Sequence, residues 1–412
     1  MTADRVVVTG MGPVSSIGVG LERFHEAALK SVSGIRPITS FDPSRLSVRI
    51  AGEVDLPESL APSGRDRLAD DRCTHLGMAA TRLAVDDSGL DLTAEADGRV
   101  AVVIGTGIGG IGTWESNTRA VIERGERAMR PRFIPMAMLN ALSARISLEY
   151  GLHGSVLTMV SACASGPDAI ACAAMLIRSG EADVVIAGGA DAPVVETIVG
   201  GFARMRALSV SDGDPARASR PFHTDRDGFV IAEGAGVLVL ESLDHARRRQ
   251  ARIHAELTGY GRSSDAFHAT MPQPDGSGAR RAITSALRSA GLAAEDVAHV
   301  NSHGTGTPFN DAAETIALHS ALGAAAPEIP VTANKSITGH CLGASGALEA
   351  IASIQAITSG LIPPIANLDR PDKQLHLDLV RDEPREADVH SVLTNSFAFG
   401  GHNVALVFGR MS

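Results

Sequence analysis

Hydrophobic positions in this chain follow two alternating patterns. Short apolar runs occur at residues 6–8, 100–104, 184–187 and 237–240, and again at 255–257, 300–301, 331–332, 392–393 and 404–408. Runs of this length, rich in valine and bounded by glycine or polar residues, read as buried strands. Between them lie longer alanine-rich segments of helical character, such as 170–177 and 282–290. Strands separated by helices predict parallel βαβ units covered on both faces. No low-complexity tract or flexible linker interrupts the pattern.

The pattern also hints at duplication. VVVTGMG at residues 6–12 is echoed by AELTGYG at 255–261, and AVVIGTG at 101–107 by HVNSHGTG at 299–306. The expected division is an N-terminal half, residues 1–250, and a C-terminal half, residues 251–412. Two similar α/β halves would bring their glycine-rich loops together at a shared interface.

Composition narrows the function classes. A chain of 412 residues, 44% of them hydrophobic, can bury a large core. Many glycines and few aromatics favour close packing of helices on sheets. A formal net charge of −10 argues against nucleic-acid binding, which needs a basic surface. Lysine is confined to Lys30, Lys335 and Lys373, so arginine supplies nearly all positive charge. The cysteines, Cys73, Cys163, Cys172 and Cys341, show no CxxC spacing and read as reduced thiols. The most apolar stretch, residues 347–362, is interrupted by Glu349 and Gln355, which argues against a membrane span. The opening MTADRVVVTG lacks the features of a signal peptide, so a cytoplasmic protein is expected.

Four segments could carry chemistry. In Ser161-Ala162-Cys163-Ala164-Ser165-Gly166, a buried strand LTMV leads into a helix over 167–179 closed by Gly180. Cys163 is then at a helix start, where the backbone dipole favours a thiolate nucleophile; a buried structural cysteine is the alternative. In Asn301-Ser302-His303-Gly304-Thr305-Gly306-Thr307-Pro308, a strand runs into a loop of small residues with one imidazole. It is either a ligand loop or a turn with a satisfied histidine. In Asn334-Lys335-Ser336-Ile337-Thr338-Gly339-His340, a strand VTA ends in a polar loop, and Glu349 on the next helix could neutralise Lys335. A surface lysine is the alternative. Asn395-Ser396-Phe397-Ala398-Phe399-Gly400-Gly401-His402-Asn403 is a mobile loop with apolar plugs or a β-hairpin turn.

GTGIGG, with Gly105, Gly107 and Gly110, matches the dinucleotide fingerprint letter for letter. No second strand with an acidic end follows it, so nucleotide binding is not expected.

In this order the four motifs, with SRPFHTDRDGFVIAEGAGVLVLE and SSDAFH between them, resemble the β-ketoacyl-[acyl carrier protein] synthases, closest to the type II elongating branch. The resemblance covers almost the whole chain. It implies an α/β thiolase fold with a duplicated five-layered αβαβα core, working as a dimer. It implies an acyltransferase that lengthens an acyl chain with a malonyl unit, without metal or redox cofactor.

By matching motif, Cys163 is the acylated nucleophile, and His303 and His340 flank the malonyl thioester. Lys335 and Glu349 form the supporting network. Phe399 is the gate, and its N–H joins that of Cys163 in an oxyanion hole. Thr305 and Thr307 contact pantetheine, while Ile108 and Phe202 line the acyl pocket. Arg127 and Arg206 are the candidates for docking an acidic acyl carrier protein that bears phosphopantetheine.

The chain departs from the family pattern at Ala398, His402 and His223, where glycine, threonine and aspartate are common. None of these touches the Cys-His-His set. A thiolase would carry a second cysteine in a C-terminal CxG motif, which FAFGGHN lacks. A non-catalytic chain-length factor would lack Cys163. A metal site of Cys163, His303, His340 and Cys341 is the reading from an unrelated class. Within the family, the expectation is fatty acid or polyketide elongation by a homodimer, or the alpha subunit of a type II polyketide synthase paired with a chain-length factor.

Overall fold

A computed structural model describes residues 5–62, 70–95 and 97–411. The first four residues of the segment read for a targeting signal lie outside these. Two strand sets with one shared order form the framework. In the first half the order is Val156–Met159, Val100–Gly105, Val184–Asp191, Gly234–Ser242, Val6–Ser15. In the second it is Pro330–Thr332, His299–Asn301, Ser391–Ala398, His402–Gly409, Ala255–Ser264. In each set the first three strands run parallel and the last two antiparallel. The sets join where Val7 and Val8 pair with Glu256 and Ala255. The duplication hinted at by the glycine-rich echoes is therefore a duplication of topology.

Alternation along the strands builds the layers. In Val100–Gly105, Ala101 and Val103 face a central core, while Val102 and Ile104 face an outer one. The central core also takes Leu238 and Leu240, Leu406 and Phe408, and the helices Ser165–Arg178 and Ser345–Ser359. Outside the first sheet lie helices Arg72–Ser88 and Ala141–Tyr150, through Leu76, Ala80 and Ile146. Outside the second lie Ser277–Ala290 and Pro308–Leu322, through Ile283, Leu287 and Leu318. The result is helix, sheet, helix, sheet, helix: the five layers implied by the resemblance. Helix Ser345–Ser359 is buried from Ser345 to Ile357, which explains its length of apolar sequence without a membrane.

Three expectations need correction. The sheet is mixed, not parallel throughout. Ser391–Ala398 and His402–Gly409 are joined by three residues, too few for a crossover, so that pair must be antiparallel. Strand Val156–Met159 is not buried: it forms the outer edge of its sheet, with Val156, Leu157 and the following Val160 exposed. And Lys335–Thr338 is a buried one-turn helix where a polar loop was expected.

Candidate active site

The chemistry collects at the carboxyl ends of the parallel strands, the usual place for sites in α/β sheets. After Val156–Met159 the chain makes a 3-10 turn, Ala162–Ala164, and enters helix Ser165–Arg178. Ala162 has φ 50°, a left-handed conformation that is costly for a residue with a Cβ. Ser165 holds this elbow. Its Oγ accepts from the Ser161 N–H at 2.9 Å and donates to the Ala162 carbonyl at 2.7 Å.

Cys163 sits buried on the elbow. Burial pushes its thiol up to about 12; the Lys335 charge pulls it down, Asp191 pushes it up, and the N–H groups of Phe399 and Cys163 itself favour the thiolate. The expected net stabilisation of a thiolate at the helix start is thus overturned. Desolvation outweighs the dipole in the empty cavity. The two N–H groups at the sulfur nevertheless form a pair of donors around the reacting atom.

The second half repeats the elbow. Leu342, φ 47°, begins the 3-10 turn Leu342–Ala344, which leads into helix Ser345–Ser359. Ser345 Oγ accepts from the Cys341 N–H at 2.8 Å, as Ser165 does from Ser161. Gly343 occupies the place that Cys163 has in the first half. The sequence signal is Ala164-Ser165-Gly166 repeated as Ala344-Ser345-Gly346, which the reading by motifs passed over. Here the second bond of the serine goes to a ring: Ser345 Oγ lies 2.9 Å from His340 Nδ1. Its acceptance from Cys341 leaves the hydroxyl proton for Nδ1. His340 therefore carries its own proton on Nε2.

His303 reaches the same tautomer by another route. Lys335, fully buried, donates to the His303 carbonyl at 2.6 Å, to His303 Nδ1 at 3.2 Å and to the Glu349 carboxylate. An ammonium has only donors, so Nδ1 accepts and Nε2 holds the proton. Burial, then the Lys335 charge, holds both imidazoles well below the usual histidine range, so both are neutral. Their ring centres are 5.5 Å apart. Glu314 fixes the His303 loop, accepting from the His303 N–H at 2.7 Å and the Gly304 N–H at 2.9 Å. Burial pushes Glu314 up to about 7. Sequence reading missed Glu314. Its sole signal is a position one helical turn beyond Asn310 and Asp311, after the Thr307 N-cap.

A cavity of about 480 Å³ joins these parts, lined by Cys163, His303 and His340 together with Thr305, Thr307 and Phe399. Thr305 and Thr307 hydroxyls meet at 2.9 Å. Phe202 and Arg206 also line it, and the Phe202 ring lies 6.3 Å from that of Phe399. Phe229, not singled out from sequence, stacks edge-on against His340 at 5.1 Å. Phe399 caps a hairpin turn pinned from outside: Asp265 N–H donates to the Gly401 carbonyl, and Gly400 N–H to that of Ala269.

Two expected residues are elsewhere. Ile108 is not on the lining of this cavity; its N–H is held by Asp191 at 3.2 Å. Arg127 lies on the exposed turn Glu126–Ala128, away from the cavity that Arg206 lines. Of the departures, His223 is buried but off the lining, and its Nδ1 accepts from the Asp225 N–H. Cys341 Sγ donates to the Glu233 carbonyl and does not line the cavity. Among the described residues no three His, Cys, Asp or Glu side chains are grouped to hold a metal ion.

Comparison with known proteins gives a consistent result. Residues 3–246 match the family β-ketoacyl synthase, N-terminal domain, and residues 254–369 match β-ketoacyl synthase, C-terminal domain. The chain is 42% identical to 3-oxoacyl-[acyl-carrier-protein] synthase 2 of Synechocystis sp. over 98% of each chain. It is 42% identical to the protein of that name from Coxiella burnetii over the full length of both. Among solved structures, the ishigamide ketosynthase/chain length factor superposes with TM-score 0.93 at 37% identity, covering 100% of both chains. A β-ketoacyl synthase from Burkholderia phymatum gives 0.91 at 33%, covering 99% and 100%. The chain belongs to the β-ketoacyl synthase family and is an acyltransferase of the ketosynthase type with the thiolase fold.

Proposed function

We propose that Cys163 carries the growing acyl chain and that His303 and His340 drive decarboxylation of a malonyl thioester delivered by an acyl carrier protein. One observation carries this assignment: two neutral imidazoles, each engaged at Nδ1 from behind, share a cavity with a buried cysteine whose sulfur faces two backbone N–H groups.

In the first half-reaction Cys163 Sγ attacks the acyl thioester, and the Cys163 and Phe399 N–H groups hold the oxyanion. The carrier's pantetheine thiol leaves with the proton that Cys163 gives up. In the second, the malonyl carboxylate departs as carbon dioxide. Its electron pair becomes an enolate on the thioester oxygen, where the two Nε2–H groups donate. Each donor contributes about 3 kcal/mol to such a transition state. The enolate carbon attacks the acyl-Cys163 carbonyl. The new carbon–carbon bond forms, the Cys163 sulfur is expelled and takes a proton, and the β-ketoacyl chain leaves on the carrier. The paired threonines Thr305 and Thr307 face the cavity as hydroxyl donors for the amides of the pantetheine arm.

The pathway reading is chain elongation in fatty acid synthesis, supported by the relatives called 3-oxoacyl-[acyl-carrier-protein] synthase 2. The ishigamide ketosynthase/chain length factor supports a second reading, a polyketide ketosynthase with a chain-length-factor partner. Either way a second subunit covers the exposed edge strand Val156–Met159, because an open apolar edge is otherwise a site for uncontrolled pairing. No described helix is long and apolar enough to cross a membrane, and the proposed location is the cytoplasm. Native mass spectrometry of the purified protein tests the partner: a homodimer supports the first reading, and an obligatory heterodimer the second.

A further inference from the structure

Asp191 is a buried carboxylate that the mechanism above does not use. It ends strand Val184–Asp191 and is fully buried. Among the described residues no cation pairs with it. Four donors surround it instead: Oδ1 accepts from Thr106 Oγ1 at 2.7 Å and Ile108 N–H at 3.2 Å, and Oδ2 accepts from Gly107 N–H at 2.8 Å and Gly343 N–H at 2.7 Å. An unpaired buried carboxylate is costly, and four donors offset that cost only with every acceptor position used.

The partners come from both halves. Residues 106–108 follow a strand of the first sheet. Gly343 belongs to the second elbow, at the position equivalent to Cys163. Its carbonyl is wedged against the first half: a Cβ on Gly166, in the Cys163 helix, would come within 2.7 Å of it, and one on Gly189 within 2.4 Å. Its neighbour Leu342 lines the cavity with Cys163.

We propose that Asp191 is a positioning residue that clamps residues 106–108 to Gly343 and so sets the seat of the Cys163 elbow against the histidine-bearing half. The proposal rests on the reading that Cys163 takes the acyl chain.

The test is Asp191→Asn. Whichever way the amide turns, its NH2 meets two of the four donors. Three quantities are measured on the folded variant: acyl transfer to Cys163, carbon dioxide release from malonyl-carrier protein, and alkylation by iodoacetamide. Acyl transfer should fall about tenfold to a hundredfold, as for a misplaced reacting group. Carbon dioxide release and the KM for malonyl-carrier protein should stay within about twofold. Alkylation should not slow, because the charge that disfavours the thiolate is removed. Acyl transfer at the wild-type rate, or all three quantities falling together, overturns the proposal. If the Asn variant fails to fold, Thr106→Val decides: loss of acyl transfer alone supports the clamp, and unchanged acyl transfer overturns it. Wild-type protein that is alkylated but never acylated at Cys163 contradicts the underlying assignment instead.

Discussion

At the scale of residues, Cys163 is governed by opposing influences. Burial raises its pKa above the ordinary thiol value, to about 12, against the pull of Lys335 and two N–H groups. The thiol is therefore protonated in the free enzyme at neutral pH. Alkylation by iodoacetamide should accelerate about tenfold per pH unit from pH 7 to about pH 10, without a plateau. A plateau near pH 8 would show that the donors outweigh desolvation. The histidines divide the labour differently. In loading, charge develops by the N–H groups of Cys163 and Phe399; in decarboxylation it develops by the imidazoles. His340→Ala should slow carbon dioxide release by roughly a hundredfold to a thousandfold while much of the Cys163 acylation remains. Decarboxylation intact with acylation lost would make His340 the base for the thiol. Ser345→Ala leaves His340 in place but removes the donor that fixes its tautomer, and should weaken the same half-reaction less severely.

At the scale of elements, helix Ser345–Ser359 and the one-turn helix Lys335–Thr338 are coupled through one ion pair, Lys335 with Glu349. Both groups are buried, and burial pushes Glu349 up while Lys335 pulls it down. Glu349→Ala leaves a buried ammonium, and urea denaturation should show a loss of about 3–5 kcal/mol. A loss below about 1 kcal/mol would mean the site admits water to the lysine. These elements also mark the reach of sequence reading. Cys163, His303 and His340 were legible because each stands in an ordered motif at a strand end. Lys335 was legible through its rarity. The antiparallel strands were not, since an apolar run carries no direction. Nor was the exposure of Val156 and Leu157, since an apolar edge strand reads like a buried one until its neighbours are known. Ile108 went astray because motif matching gave it a pocket that its backbone, held by Asp191, does not face in this chain.

At the scale of the whole molecule, two halves with one topology bring their equivalent elbows face to face, one bearing the nucleophile and the other following a histidine. The exposed edge Val156–Met159 is the natural seam to a second subunit, and Leu157→Lys should raise the monomer fraction in analytical ultracentrifugation; an unchanged dimer would place the seam elsewhere. Docking of an acidic carrier falls to arginines against a net charge of −10, and Arg206 at the cavity is the one best placed. Arg206→Glu should raise the KM for carrier-bound substrate and weaken its salt dependence, while small acyl thioesters react as before. Equal loss with small thioesters would give Arg206 another role. The central claim is that the cysteine at the junction of the halves holds the chain. Peptide mass spectrometry after incubation with acyl-carrier protein tests it most directly. The account predicts the acyl adduct on Cys163, abolished by Cys163→Ala in a folded protein; an adduct on Cys73, Cys172 or Cys341 instead would contradict it.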